Sequence, residues 1–430
     1  MYLAMLVVCI HAAFVGALLG LDVVPINSWA SVEPSPLLPS RRYGHVSVGL
    51  AGNVIVFGGF DIEDNFLDDT WVYDMSTGIW ADVTPLPPQP NPASRTFAAM
   101  AVVNATTALM FGGFGSSVSL QDLWFCSLVP ISGIEEEIPS VLPRVQSGPL
   151  SNWTVVWSQA TVASSSPVPA PRSGAAVATV LGQFVMFGGT VALLEGGVWW
   201  LDLVTMVWTF LPTLATPVVS FGVFTACALT DGMMVIAGGN NTGPMTPINT
   251  WILQVQKSPT NNSLVAASWY TPSGTGPPLF GPALACRPTT AAPGLAMPEA
   301  LAFGGGFGMT EGMLASWKLV LANLTDPASA VWTTQPLTSG WNSNDLSPAV
   351  RIRSTMVLLA SPTNNQSAFV LFGGVLASTS QTYAAFNDMW ITDDGIVWLE
   401  VRSIHELLIW ASPLAMLTCP QAQMLTTTFP

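Results

Sequence analysis

Charge is what this sequence has least of. Its 430 residues include 11 Lys plus Arg and 25 Asp plus Glu, 8% in all, for a formal net charge of −14. Soluble domains of ordinary composition carry about a quarter. So few basic residues exclude a conventional nucleic-acid binder, which needs a positive surface to neutralise phosphates. An apolar fraction of 50% excludes a chain kept disordered by charge and solvation. Histidine is scarce as well: His11, His45 and His405 are the three, and no two stand at metal-ligand spacing. Long apolar runs are also few. A spanning helix takes about 18 or more apolar residues, and only residues 1–21 qualify, interrupted by His11 and ended by Asp22. With Gly16, Ala17 and Gly20 near its end, this stretch has the form of a secretory signal peptide without a basic n-region, an uncleaved anchor being the alternative. Residues 407–417 are apolar but short and broken by Pro413. No integral membrane body is expected.

The apolar residues come instead in short bursts with a common ending. Val54-Ile55-Val56-Phe57 runs into Gly58-Gly59, and the same design ends at Gly112-Gly113, Gly188-Gly189, Gly238-Gly239, Gly304-Gly305 and Gly373-Gly374. Each burst is too short for a helix and reads as a buried strand stopped by a Gly pair. The pairs recur at intervals of 54, 76, 50, 66 and 69 residues, the scale of a repeat architecture. Two tryptophans follow every pair: Trp71 and Trp80, Trp124 and Trp157, Trp199 and Trp208, Trp251 and Trp269, Trp317 and Trp332, Trp390 and Trp398. Two residues before the first Trp stands Asp69, Asp122, Asn249 or Asp388 in four of the six units. A further strand precedes each pair, opened in three units by Arg42-Tyr43-Gly44-His45, Arg95-Thr96-Phe97 and Arg172-Ser173-Gly174.

These marks resemble the kelch repeat, most fully in residues 41–84, and the resemblance covers about 41–402. It implies an all-β fold, a β-propeller of six four-stranded blades around a central channel. Ser220 and Leu279 replace the opening Arg in units four and five, and unit six carries Arg351-Ile352-Arg353 in a shifted frame. Residues 28–32 look like one more outer strand. A seventh, degenerate blade built from 403–430 and Trp29 is therefore the alternative to a C-terminal tail. The domain reading is a leader at 1–21, a propeller at 22–402 and a tail or degenerate blade at 403–430.

In an up-and-down blade the second-to-third and fourth-to-first connections share one end of the channel, and the remaining turns share the other. Unit two separates its two tryptophans by 32 residues where units one and three use eight. Long loops on a rigid frame are where specificity usually resides, although drift in exposed loops is the blander reading. Six sequons, at Asn104, Asn152, Asn240, Asn261, Asn323 and Asn365, together with the leader read as a glycosylated, secreted or extracellular chain. Cys227 and Cys286 stand in matching frames on the innermost strands of adjacent units, a candidate disulfide in an oxidising compartment. Cys126 and Cys419 are left over.

Chemistry is harder to find. Copper radical oxidases that share the kelch fold need paired Tyr and His ligands, and the sequence lacks the histidines. No G-x-S-x-G frame marks a nucleophile. Residues 391–398 resemble the Asp box of sialidase-type propellers, there a structural turn. Asp61, Glu63, Asp64, Asp68 and Asp69 are dense enough to consider Ca²⁺, but Asp69 is the unit's own motif residue and the run lacks the Gly of an EF-hand loop. No metal or cofactor is expected. Arg42, Arg95, Arg172 and Arg353 are read as one blade position and so as an arc at one channel mouth. Such an arc would hold a carboxylate or sulfate of a partner, or else brace loops through carbonyls and the Asp beside the first Trp. The expected function is a monomeric binding module for a protein or glycan. A sugar-active propeller such as a sialic-acid mutarotase, or an ectodomain fragment of a longer membrane protein, is the alternative.

Overall fold

Each burst before a Gly pair forms the second strand of a four-stranded antiparallel sheet, flanked on both faces by neighbouring sheets. The computed structural model describes residues 38–401, apart from 76, 132–151, 191–196, 214–220, 241–249, 259–263, 275, 278–280, 289–296, 307–313, 336–347, 361–366, 377–383 and 396–397. Blade 1 consists of Val46–Leu50, Asn53–Phe60, Phe66–Asp74 and Ile79–Asp82, and blade 2 of Ala99–Asn104, Thr107–Phe114, Ser119–Pro130 and Trp153–Gln159. Blade 3 comprises Ala176–Val180, Gln183–Phe187, Gly197–Asp202 and Val207–Pro212, and blade 4 Phe221–Thr230, Met233–Asn240, Thr250–Lys257 and Leu264–Tyr270. Blade 5 holds Ala283–Arg287, Glu299–Phe303, Ser316–Leu321 and Ala330–Gln335, with Ser273–Gly274 added in parallel at its outer edge. Blade 6 is made of Thr355–Ala360, Ser367–Phe372, Met389–Thr392 and Leu399–Glu400. Among the described residues no helix is long and apolar enough to cross a membrane.

The core is divided rather than central. Six apolar clusters lie one between each pair of adjacent blades, so a second strand such as Gln183–Phe187 is buried along its whole length. A strand covered on both faces has no polar side to alternate with, which explains continuous apolar bursts where a two-layer sheet would show period two. The sixth cluster packs Val54, Val56 and Trp80 of blade 1 on Val357, Val370 and Phe372 of blade 6. It closes the ring.

Hydrogen bonds make this seam equivalent to three of the other junctions. The second Gly of a pair donates to the carbonyl of the opening Arg in the next blade: Gly59 to Arg95 (2.9 Å), Gly113 to Arg172 (2.9 Å) and Gly305 to Arg351 (3.0 Å). Across the seam, Gly374 donates to Arg42 at 3.0 Å. Six blades therefore complete the propeller, each with a fourth strand of its own. The strand expected at 28–32 and the segment 403–430 lie outside the described residues.

The Gly pairs are required by this contact. Gly112 has φ +59°, and a Cβ there would lie 2.6 Å from the Arg172 carbonyl oxygen and 2.7 Å from that of Leu120. Only glycine permits both the backbone angle and the approach.

Candidate functional site: the channel mouth

The opening arginines are buried struts. Arg42 donates from Nη1 and Nη2 to the two carboxylate oxygens of Asp69, both at 2.7 Å, and also to the Gly58 carbonyl. Arg95 grips Asp122 in the same way at 2.6 and 2.9 Å and reaches the Gly112 carbonyl at 2.9 Å. The Asp then accepts a third bond from the indole of the first Trp, Trp71 or Trp124, at 2.7 Å. Each module links the blade's inner edge to its Gly pair and third strand. Burial of Asp122 opposes its ionisation, but the Arg95 and Trp124 hydrogen bonds and the Arg95 charge outweigh it and hold the carboxyl below the usual range.

Arg353 does not occupy this position in blade 6; Arg351 does. It is buried, pairs with Asp388 at 2.7 and 2.8 Å, reaches the Gly373 carbonyl at 3.0 Å, and Asp388 accepts from Trp390. Arg353 stands two residues later, where the other blades have Gly44, Phe97, Gly174, Gly222 and Gly281, all with positive φ. The frame was obscured because the residue in this left-handed position, usually glycine, is here a second arginine. Arg172 is buried in blade 3 and donates to the carbonyls of Ala170 and Gly188, with Gly197 where the motif acid would stand. The expected arc of four equivalent guanidinium groups is thus replaced by buried struts and one mouth residue.

The left-handed residues link the blades around the mouth. Phe97 N–H donates to Gly44 O (2.7 Å), Gly174 to Phe97 (2.7 Å), Phe224 to Gly174 (2.9 Å), Arg353 to Gly281 (2.8 Å) and Gly44 to Arg353 (3.3 Å). At the junction of blades 4 and 5 the structure joins Cys227 to Cys286 in a disulfide, Cα atoms 5.5 Å apart. Phe97 and Arg353 adopt φ of 51° and 56°, a backbone region unfavourable to side chains and concentrated at functional sites.

Behind the mouth lies a cavity of about 140 Å³, lined by His45, Ser47, Thr225, Arg353, Ser354 and Thr355 among small and apolar side chains. Among its described lining residues there is no Asp or Glu. His45 contacts Thr355 Oγ1 through Nε2 at 2.7 Å, while its buried Nδ1 has no partner among the described residues. Burial, aided by the Arg42 charge, pushes its pKa from 6.5 down to about 3. The unfolded chain therefore binds a proton on this histidine below about pH 6.5 that the folded chain refuses until about pH 3. The expected result is a loss of stability on acidification across that window, with a slope of up to about 1.4 kcal/mol per pH unit. Comparing denaturant midpoints at pH 7 and 4.5 for the native chain and His45→Gln checks it; the variant should lose most of the drop. Carboxylates such as Asp122 contribute only at lower pH.

A family model described as the KLHDC2/KLHL20/DRC7 kelch-repeats domain matches residues 18–239, just over half of the chain. The chain belongs to the kelch-repeat family. It is also 31% identical over 105 residues to a Drosophila melanogaster protein described as a leucine-zipper-like transcriptional regulator 1 homolog, a match covering 23% of this chain and 11% of that one. The chain thus matches a small part of that relative's length.

Within this kelch propeller the remaining sequence candidates are dispersed. Asn104, Asn152 and Asn323 are exposed, all at turns on the end opposite the Gly pairs. Asn240 ends the second strand of blade 4 on the Gly-pair side, and Asn261 and Asn365 lie outside the described residues. Cys126 is a buried free thiol whose pKa burial raises; Cys419, His11 and His405 lie outside the described residues. The Asp-box-like segment is a turn in which Gly395 N–H donates to Thr392 Oγ1 at 2.9 Å and Trp398 donates to Gly395 O. Asp61 caps its own loop, accepting from Glu63 N and Asn65 N. Among the described residues no group of three His, Cys, Asp or Glu side chains converges.

Two features were missed in the sequence. Arg287 clasps blades 5 and 6 at the far end, pairing with Glu299 (2.5 Å) and Asp393 (2.8 Å) and lying over the Phe369 ring. At the mouth, Tyr43, Phe60, Phe66, Phe97 and Phe114 form one aromatic cluster with centroid separations of 4.5–6.4 Å. Phenylalanine directly after the Gly pair in units one and two was the available signal.

Proposed function

We propose that this kelch propeller is a secreted or extracellular binding module that holds a protein or glycan partner on its connections, without chemistry of its own. The observation that carries this reading is the assignment of charge. The motif arginines and aspartates are locked into the frame, and the described cavity lining holds no carboxylate, which favours the loop-bearing ends as the variable surface. The Cys227–Cys286 disulfide suits an oxidising compartment. Residues 1–21 as a leader and glycans at the exposed Asn104, Asn152 and Asn323 belong to the same proposal. Because six blades close without it, 403–430 is read as a tail. The reading also accommodates the propeller as the ectodomain of a longer anchored protein.

Expression in a eukaryotic secretory host tests it. The chain should reach the medium, and glycosidase treatment should lower its mass by about one glycan per occupied sequon. Crosslinking in the medium, with and without deglycosylation, should capture a partner. A chain retained unglycosylated in the cytosol would refute the location. Turnover of a free sugar by the purified protein would favour the enzyme reading instead.

A further inference from the structure

The mouth aromatic cluster lies on blades 1 and 2, at the Gly-pair end. Phe60 packs against Tyr43, Phe66 and Phe97, and Phe66 reaches Phe114 of the next blade at 6.0 Å. All five rings are only half buried. Beside them, Ile62 is 53% exposed in the blade 1 connection, and Val118 is 58% exposed in the blade 2 connection. Apolar residues grouped in this way at the end of a rigid frame mark an interaction surface more often than isolated exposed ones do.

The patch has a charged rim of one sign on its blade 1 side. Glu63, Asp64 and Asp68 are exposed and Asp61 is half-exposed, all within the 61–68 connection and its strand. Asp64 accepts a hydrogen bond from the Tyr43 hydroxyl, which ties the acidic loop to the aromatic cluster. On the channel side Arg353 lies 4.9 Å over Phe97 and 5.8 Å from the Tyr43 centroid, and Arg41 is exposed.

Resting on the reading of this propeller as a binding module, we infer that the blade 1–2 end docks a basic protein segment. A Leu, Phe or Trp anchor would cover Phe60, Phe66 and Phe114, and flanking Arg or Lys would meet the acidic rim. Charge complementarity selects this occupant: an acidic rim on a chain of net charge −14 attracts a cationic partner and repels a second copy. The rings also tilt against each other by 39–73°, which leaves no single flat platform of the kind that stacks a sugar ring. The exposed sequons Asn104, Asn152 and Asn323 lie at the other end, so their glycans would leave this surface open.

The test uses the full secreted chain against a phage-displayed library of random dodecapeptides and, in parallel, a glycan array. The expected outcome is enrichment of peptides that place Arg or Lys close to an aromatic or large aliphatic residue. Binding of the enriched peptide, made synthetically, should weaken about tenfold in Phe66→Ala, as expected when the ring covered by the partner's anchor is removed. It should weaken on raising NaCl from 50 to 500 mM and in Glu63→Lys and Asp68→Lys, two exposed positions, with unchanged urea midpoints showing that the fold is kept. Enrichment of acidic or neutral peptides would overturn the inference and spare the binding-module reading. So would basic peptides indifferent to Glu63→Lys and Asp68→Lys, or binding to glycans alone. No binding to either library would count against both.

Discussion

Replacing Asp122 with Ala is expected to lower the unfolding free energy by about 3–5 kcal/mol, because it strands a buried charge. Arg95 is 1% exposed, and Asp122 is the anion that both of its terminal nitrogens meet. Without the carboxylate, the guanidinium keeps the Gly112 and Ala93 carbonyls but carries an uncompensated charge away from water. The Trp124 indole loses its acceptor as well. The penalty belongs to the broken pair rather than to the pair's net worth, so Arg95→Met/Asp122→Ala should recover part of the loss. Asp68→Ala, at an exposed site on the preceding blade, should change stability by no more than about 0.5 kcal/mol. Urea midpoints of the four proteins at pH 7 decide the matter, and equal midpoints for Asp122→Ala and Asp68→Ala would show that the strut is dispensable. The pH dependence carries a definite sign. The Asp122 carboxyl titrates below its usual range when folded, so its contribution is complete above about pH 4 and fades as pH falls through the lowered value. The gap between native chain and variant should therefore narrow at the acid end.

The repeating frame was legible from single residues because each mark answers a local backbone demand. A Gly pair is forced by left-handed angles beside a neighbour's carbonyl, as at Gly112. The Asp two before a Trp is forced by the fork of an arginine some 27 residues earlier, Arg42 to Asp69 and Arg95 to Asp122. Such constraints leave the same residue types at the same offsets in blade after blade. The candidate site was not legible in this way. Which of Arg351 and Arg353 is the strut depends on which takes the left-handed position, and nothing in the pair of letters decides it. The aromatic cluster draws its rings from two blades, and it forms only where the ends of separate strands come together. His45 meets Thr355 across 310 residues of chain, a contact created only when the ring closes. Local demands repeat and can be read; contacts made by closure are visible only in the closed ring.

The junction between blades 4 and 5 is where the repeating frame is weakest in sequence and where a covalent bond is found. Both blades lack the opening arginine, with Ser220 and Leu279 in its place, and the inner strand of blade 4 is irregular between Phe221 and Phe224. Cys227 and Cys286 lie on the two inner strands that meet there, 59 residues apart. Closing a loop of this length removes unfolded-state entropy worth about 4 kcal/mol at 25 °C. That is comparable to the loss expected from breaking an Arg–Asp strut. The double variant Cys227→Ser/Cys286→Ser should therefore lose about 4 kcal/mol, and reduction of the native chain should lower its unfolding free energy by the same amount. Hydrogen exchange locates the effect. In the variant, amides of Phe221–Thr230 and Ala283–Arg287 should exchange faster, while Val46–Leu50 and Ala99–Asn104, in blades that keep the Arg42 and Arg95 struts, change least. Uniform acceleration around the ring would mean instead that the disulfide stabilises the propeller as a whole, and that blades 4 and 5 hold together without it as firmly as their neighbours.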